Sequence, residues 1–121
     1  MVKDPAILNH GALMARIDND RQLYQVVLEM FLEKTPQTLV ELELAIEQKD
    51  GENIHFLAHK LKGTTANLGA EILKDSMLTL EQFGKNNNHS KTGAVLKDIK
   101  TGYADLEKEI NNALTDLDKD N

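Results

Sequence analysis

A histidine, a lysine and a glycine stand close together in residues 58–63, which read Ala-His-Lys-Leu-Lys-Gly. Neutral imidazole is a good nucleophile near neutral pH because its unperturbed pKa is about 6.5. A phosphoryl group in transfer spreads negative charge over its oxygens, so a cation such as Lys62 lowers the barrier. Gly63 leaves space for a bulky donor. These residues predict that His59 accepts a phosphoryl group from a large partner that approaches closely.

This segment belongs to a predicted helix over about residues 51–66, and helical geometry determines which side chains face the core. At about 100° per residue, one inner face is formed by Ile54, Leu57, Ala58, Leu61 and Thr65. His59 falls about 140° from Ile54 and is predicted to be exposed, with Lys62 beside it at i+3. Taken alone, an exposed histidine next to a lysine is most often part of an ordinary solvated face.

Three further residues on the outer face, His55, Phe56 and Ala66, are candidates for contact with the partner. Ala66 keeps the surroundings of the imidazole free of bulk, and an exposed ring such as Phe56 favours protein binding. Ordinary interpretations also exist: His55 as a surface residue that tunes the local field, and Phe56 as a peripheral packing residue. Glycine inside a helix costs about 1 kcal/mol, so Gly63 requires either close packing or the close approach of a partner.

Metal binding is the weakest interpretation of these histidines. His55 and His59 form an H-x-x-x-H pair, but apolar residues stand where a zinc protease needs its glutamate. Glu52 and His55 match the Glu-x-x-His element of di-iron bundles, which requires a second copy and two more inward glutamates. Neither His10 nor His89 completes that copy. We therefore expect no metal and no cofactor in this chain.

Composition restricts the function further. The chain has 121 residues, no cysteine and a formal net charge of −6, with acids and lysines interleaved. Phosphate backbones require clustered cations, so the chain is not predicted to bind nucleic acid. No apolar run reaches the roughly 18 residues of a membrane span, and the N-terminus lacks a secretory apolar region. A single cytoplasmic domain over residues 1–121, with its core over about 7–114, is expected.

Apolar residues recur at helical spacing nearly throughout the chain. The predicted elements are a short apolar segment over residues 7–17, helical segments on both sides of Thr35-Pro36, helices over about 51–66 and 70–83, a polar loop over 84–90, a last helix including 95–114, and a fraying tail over 116–121. The proline marks either a kink in one helix or the start of a second helix. The pattern predicts an all-α, antiparallel four-helix bundle with one or two short additional N-terminal helices.

Two apolar sets are predicted to face the core of this bundle. Before the proline, the residues at 3–4 spacing are Leu23, Val26, Val27, Met30 and Phe31. On the helix over about 70–83, the residues predicted to be buried are Ile72, Leu73, Met77, Leu80 and Phe83.

The chain resembles the family of histidine-containing phosphotransfer (HPt) domains, the intermediates of multistep phosphorelays. The resemblance rests on residues 58–63, on Asn-Leu-Gly-Ala at 67–70 and on Leu-Glu at 80–81. Residues outside these motifs also fit the family pattern: Phe31-Leu32, Thr35-Pro36, Leu39, Leu42 and Asp50. The resemblance covers about residues 7–114.

The resemblance implies a role for each residue of this motif. His59 would be the phosphorylated residue, Lys62 the cation that stabilises the phosphate, and Gly63 the gap that admits the partner. Family members often carry a glutamine or glutamate on the next helix that orients the histidine, and Glu81 matches that position. A carboxylate there would orient the imidazole and raise its basicity.

The resemblance also implies the partners. They would be response-regulator receiver domains that carry the phosphoryl group on an aspartate with Mg²⁺ beside it, so the metal would belong to the partner. A hybrid sensor histidine kinase is a further possible partner, and the chain itself is expected to be a monomer. ATP-dependent kinase activity is not expected, because the chain has no ATP-binding domain with Gly- and Asn-rich boxes.

Two other functions compete with the phosphotransfer hypothesis. One is a non-catalytic helical module that binds partners through an exposed apolar patch, and the other is a metal-binding bundle. Acid-labile phosphate on the protein would distinguish phosphotransfer from mere binding, and titration with Fe²⁺ or Zn²⁺ would reveal a metal site.

Overall fold

A computed structural model describes residues 4–119, and within this range every regular element is a helix. The elements in chain order are α1 (His10–Arg16), α2 (Arg21–Glu47), α3 (Gly51–Asn67), α4 (Glu71–Lys85) and α5 (Thr92–Lys119). The predicted all-α class is therefore confirmed, and α1 is a short helix that precedes four longer ones. None of these helices combines the length and apolarity that crossing a membrane requires.

Helices α2 to α5 form a four-helix bundle in which α3 and α5 each contact both α2 and α4. The connections over residues 48–50, 68–70 and 86–91 are short, so consecutive helices run antiparallel, as predicted. Side chains from all five helices form one apolar core. Its fully buried members include Leu13, Leu28, Leu42, Ile54, Met77, Leu80, Ile99 and Ile110.

α2 is one continuous helix of 27 residues although it contains Pro36. Proline lacks a backbone N–H and leaves the carbonyl of Leu32 without its helical partner. Pro36 lies on the exposed side of α2, where water is available to a free carbonyl, whereas Thr35 and Thr38 are buried. The helix therefore continues through the proline, and no second helix begins there.

The connections on both sides of α3 follow the sequence signals. Asp50 caps α3, since its side chain accepts a hydrogen bond from the backbone N–H of Asn53 at 3.1 Å. Gly69 ends the helix with a positive φ of 66°, as predicted for a left-handed cap. A Cβ on Gly69 would lie 2.6 Å from the Cβ of Asn9. The segment before α1 is therefore packed directly against the connection between α3 and α4.

Two element boundaries were predicted wrongly. α4 continues to Lys85, so Gly84 is a buried helical residue rather than the start of a loop. α5 continues to Lys119, so residues 116–119 are helical rather than frayed. Of the predicted tail, residues 120–121 lie outside the described range.

The apolar stripes are also narrower than predicted. Ile72 is 48% exposed and Phe83 is half-buried, because the buried stripe of α4 consists of Leu73, Met77, Leu80, Glu81 and Gly84. Near the start of α2, Leu23, Val26 and Met30 are 42%, 48% and 45% exposed. The buried stripe there is Tyr24, Leu28, Phe31 and Thr35. In both helices, apolar residues one position away from the stripe are rotated about 100° out of the core.

Candidate functional site

His59 lies in the middle of α3 on the solvent side, and its side chain is 66% exposed. The opposite face of α3 is buried through Ile54, Leu57, Ala58, Leu61 and Thr65, the set that the helical spacing predicts. The core contacts of that face fix the rotation of the helix about its own axis. The imidazole is therefore held on a rigid element and is accessible to a protein-sized partner.

Glu81 approaches His59 from α4. Its Oε1 lies 3.4 Å from Nδ1 of His59, which is long for a hydrogen bond, and its side chain is only 9% exposed. A carboxylate in this position favours the imidazole tautomer with the proton on Nδ1, because Nδ1–H then faces an acceptor. In that tautomer Nε2 carries the lone pair and is the nucleophilic nitrogen.

Lys62 converges on the same carboxylate. Its Nζ lies 2.8 Å from Oε2 of Glu81, and its side chain is 28% exposed. The sequence places Lys62 one turn after His59, and the structure adds that its ammonium forms an ion pair with Glu81. The imidazole and the ammonium thus contact different oxygens of one nearly buried carboxylate.

This pairing determines the charge of Glu81. Burial alone would raise the pKa of its carboxyl group, but the hydrogen-bonding and charge interactions with Lys62 and His59 outweigh burial. The net result is a pKa below the usual value of 4.5, so Glu81 is a carboxylate at neutral pH. An anion therefore faces Nδ1 of His59 at neutral pH.

The surface around His59 contains little bulk. A Cβ added at Gly63 would meet no atom within 4 Å, so the space beside it is open. Phe56 is 64% exposed and Ala66 is half-buried. These residues share the outer face of α3 with His59, as their spacing predicts.

His55 also lies near Glu81 rather than pointing only into solvent. Its Nε2 lies 3.9 Å from Oε1 of Glu81, and its side chain is 42% exposed. Its ring centroid is 6.3 Å from that of His59, at an interplanar angle of 40°. The sequence interpretation, a docking or surface residue, did not include this proximity to the carboxylate.

A close crossing of α3 and α4 positions Glu81. This crossing was not predicted from the sequence. A Cβ on Gly84 would lie 2.6 Å from the backbone N of His55 and 2.8 Å from the carbonyl O of Gly51. The backbones of the two helices therefore touch one turn after Glu81. The spacing of Leu80 and Gly84 after Met77 was a usable signal, because it continues the buried stripe of α4 to the glycine.

His59 itself lies on an exposed face of α3. An apolar groove of about 280 Å³ lies between α2 and α3, and His59 is not among its lining residues. Its lining residues include Lys60 and Thr64, which neighbour His59 and Gly63 in sequence. Within residues 4–119 no group of three or more His, Cys, Asp or Glu residues is arranged to hold a metal ion. The geometry suits an incoming macromolecule better than a small substrate.

Comparisons with known proteins agree with this geometry. The family model described as Hpt domain matches residues 26–119, which include α3, α4 and all the candidate site residues. The chain is similar in structure to histidine-containing phosphotransfer protein B (HptB) from Pseudomonas aeruginosa PAO1, with a TM-score of 0.84 at 20% identity. That similarity covers 89% of this chain and 94% of the other, and it shows the shared fold. No curated protein matches the sequence.

Proposed function

Because the chain belongs to the Hpt domain family, which performs histidine phosphotransfer in phosphorelays, we propose that His59 is the residue that carries the phosphoryl group. The single observation behind this assignment is an exposed imidazole whose Nδ1 faces a nearly buried carboxylate, that of Glu81. Within the matched residues, His55 and His89 are the alternative histidines, and His55 lies farther from that carboxylate, at 3.9 Å.

The proposed transfer begins with an aspartyl phosphate on a receiver domain, the kind of partner with which Hpt domains act. Nε2 of His59 attacks phosphorus, the bond from phosphorus to the aspartate oxygen breaks, and the electron pair leaves with the aspartate carboxylate. The proton on Nδ1 stays in place, so the phosphorylated ring is an imidazolium that faces Oε1 of Glu81. The reverse sequence passes the phosphoryl group to a second receiver. Mg²⁺ would be held by the receiver.

Lys62 has two proposed roles in this transfer. In the unphosphorylated protein its ammonium is 2.8 Å from Glu81, which keeps that carboxylate charged and in place. Its position at i+3 from His59 also keeps a positive charge near the incoming phosphoryl oxygens, whose charge spreads in the transition state.

The outer face of α3 is the proposed docking surface. Phe56 would supply apolar contact, while Gly63 and Ala66 would let the receiver approach His59 closely. His55 borders the same face. We further propose that about residues 7–114 act as one domain, since the buried residues from Leu8 to Ala113 form one core. A monomeric state, a cytoplasmic location and a hybrid kinase as a partner stay predictions.

Labelling tests the assignment of His59. The protein is incubated with a receiver domain that carries ³²P-phosphoryl aspartate, and the label is followed onto His59→Gln, His55→Gln and His89→Gln variants. The expected result is an acid-labile label on the wild type and on the last two variants, and none on His59→Gln. Equal labelling of His59→Gln would overturn the assignment, and an absence of acid-labile label on the wild type with a panel of receivers would favour the non-catalytic interaction module.

A further inference from the structure

Two imidazoles face one carboxylate oxygen in this site. Nδ1 of His59 lies 3.4 Å from Oε1 of Glu81, and Nε2 of His55 lies 3.9 Å from the same atom. The other oxygen, Oε2, is paired with Nζ of Lys62 at 2.8 Å. Because Lys62 is paired with Oε2, Oε1 is the oxygen that both imidazoles face.

The two distances imply different interactions of the two imidazoles with Glu81. At 3.4 Å a small movement gives His59 a hydrogen bond, whereas 3.9 Å is too long for one but close enough for an ion pair. His55 is neutral until it binds a proton, and it is then a cation. A cation at this distance from a nearly buried carboxylate is strongly attracted, because the site is only partly screened by water.

We propose that His55 is a positioning residue that controls, through Glu81, whether His59 is oriented for transfer. Neutral His55 leaves Oε1 to Nδ1 of His59. Protonated His55 draws Oε1 towards itself, and this weakens the hydrogen bond that selects the reactive tautomer of His59. This inference rests on the proposed function of His59, and it makes the orientation of His59 depend on the charge of His55.

The other charged groups around His55 are balanced in sign. They are Glu52 on the same helix, Lys49 and Asp50 in the preceding connection, and Lys85 on α4. His59 and Lys62 face Glu81 from the other side. The two lysines and the two acids around His55 line an open cleft, where solvent screens them, so Glu81, with a 9% exposed side chain, is the dominant partner.

Fixed-charge variants at residue 55 test the proposal at pH 8, where unperturbed histidines are neutral. His55→Lys imposes a permanent cation, and His55→Gln removes titration. The probe is a receiver domain phosphorylated with acetyl phosphate, and the readout is the rate at which phosphoryl appears on the protein. We expect His55→Lys to be about fivefold slower than His55→Gln, which fills the same position without a charge. A fivefold change is the order expected for losing one hydrogen bond.

Two controls separate competition for Glu81 from other effects of a new charge. Asn53→Lys adds the same charge at an exposed position of α3, whereas the ion-pair partners of Glu81 are His55, His59 and Lys62, so it should slow transfer less than His55→Lys does. In a Glu81→Gln background, His55→Lys should cause no further loss, because the shared carboxylate is gone. Far-UV circular dichroism of each variant confirms that α3 is intact.

Nuclear magnetic resonance gives a readout that does not depend on transfer. The ¹⁵N shifts of the His59 ring report its tautomer. At pH 8, His55→Lys should show a smaller Nδ1–H fraction at His59 than His55→Gln.

The outcomes are distinguishable. Failure of every receiver to label wild-type His59 would overturn the proposed function, and the ring shifts would still decide whether the histidines are coupled. Labelling of the wild type together with equal rates for His55→Lys and His55→Gln would overturn the role of His55. Unchanged His59 shifts in both variants would contradict it as well.

Discussion

Two helical glycines, Gly63 on α3 and Gly84 on α4, have opposite surroundings although their helices pack against each other. A Cβ at Gly63 would meet no atom within 4 Å, whereas a Cβ at Gly84 would lie 2.6 Å from the backbone of α3 at His55. At the first position the missing side chain serves nothing inside the protein. At the second, it allows two backbones to touch.

This difference separates residues needed by the fold from residues needed by a partner. Gly84 lets α4 approach α3 closely enough for Glu81, one turn earlier, to reach His59 at 3.4 Å. Gly63 lowers the stability of α3, as glycine does inside a helix, and no atom of the protein occupies the space that it leaves open. This combination indicates that an external molecule uses the space. The two glycines therefore give opposite predictions for stability and for transfer.

The largest expected effect comes from filling the open space on α3. Gly63→Gln should slow phosphoryl transfer from a receiver by about 100-fold, because displacing the reacting groups by about 1 Å is enough for such a loss. Urea unfolding should show a stability equal to or slightly above that of the wild type. Normal transfer by this variant would show that the gap at residue 63 is not used by the partner.

The second effect concerns the packed glycine. Gly84→Ala should lower the free energy of unfolding by about 2 kcal/mol. The destabilisation from overpacking the helix contact is larger than the stabilisation from the higher helix propensity of alanine. The clash is with backbone atoms of His55 and Gly51, which cannot move without separating the helices. Unfolding in urea measures the loss, and a variant as stable as the wild type would contradict the close crossing.

Glu81 connects the two regions and should give an intermediate effect. Glu81→Gln should slow transfer about tenfold, because a hydrogen bond to a charged group contributes about 1.5–3 kcal/mol. The pKa of Glu81 is lowered in the folded protein, so its charge contributes stability that is complete above the usual value of 4.5. That contribution is lost as the pH falls through the lowered pKa.

Unfolding measurements at several pH values test this sign. The wild type should exceed Glu81→Gln in stability at pH 7, and the difference should shrink as the pH falls below the usual carboxyl pKa of 4.5. A difference that grows as the pH falls would mean that burial, and not pairing with Lys62 and His59, dominates the pKa of Glu81.

The smallest expected effect comes from alanine at two exposed helical glycines. Gly63 and Gly93 are both helical, and a Cβ at either would meet nothing within 4 Å. Gly63→Ala should raise the free energy of unfolding by about 0.5–1 kcal/mol, and Gly93→Ala, in the first turn of α5, should raise it by less. Transfer rates should fall for Gly63→Ala alone, because Gly93 is on α5, away from His59. Equal transfer rates for both variants would remove the special position of Gly63.

Much of the fold was predictable because it depends on helical periodicity and local caps. Asp50 and Gly69 bracket α3 as expected, and the stripe through Ile54 and Leu61 is buried. The end of α4 was not predictable from local propensity, since glycine usually ends a helix. Tertiary contact at Gly84 outweighs that preference.

In the candidate site too, features set by a single helix were predictable and features set by the contact between two helices were not. The exposure of His59 and the gap at Gly63 follow from their positions on one helix. The convergence of His55, His59 and Lys62 on Glu81 depends on how α3 and α4 cross, which spacing within one helix does not determine. Even the burial of Glu81 was unexpected, because acids are rarely buried unless they are paired.

The most direct measurement is the position of phosphorus on the phosphorylated protein, determined from ³¹P–¹⁵N and ³¹P–¹H couplings in a sample labelled by a phosphorylated receiver. The structure predicts that phosphorus is bonded to Nε2 of His59, with the proton of the ring on Nδ1 facing Glu81. Phosphorus on Nδ1 of His59, or on any other residue, would contradict the account.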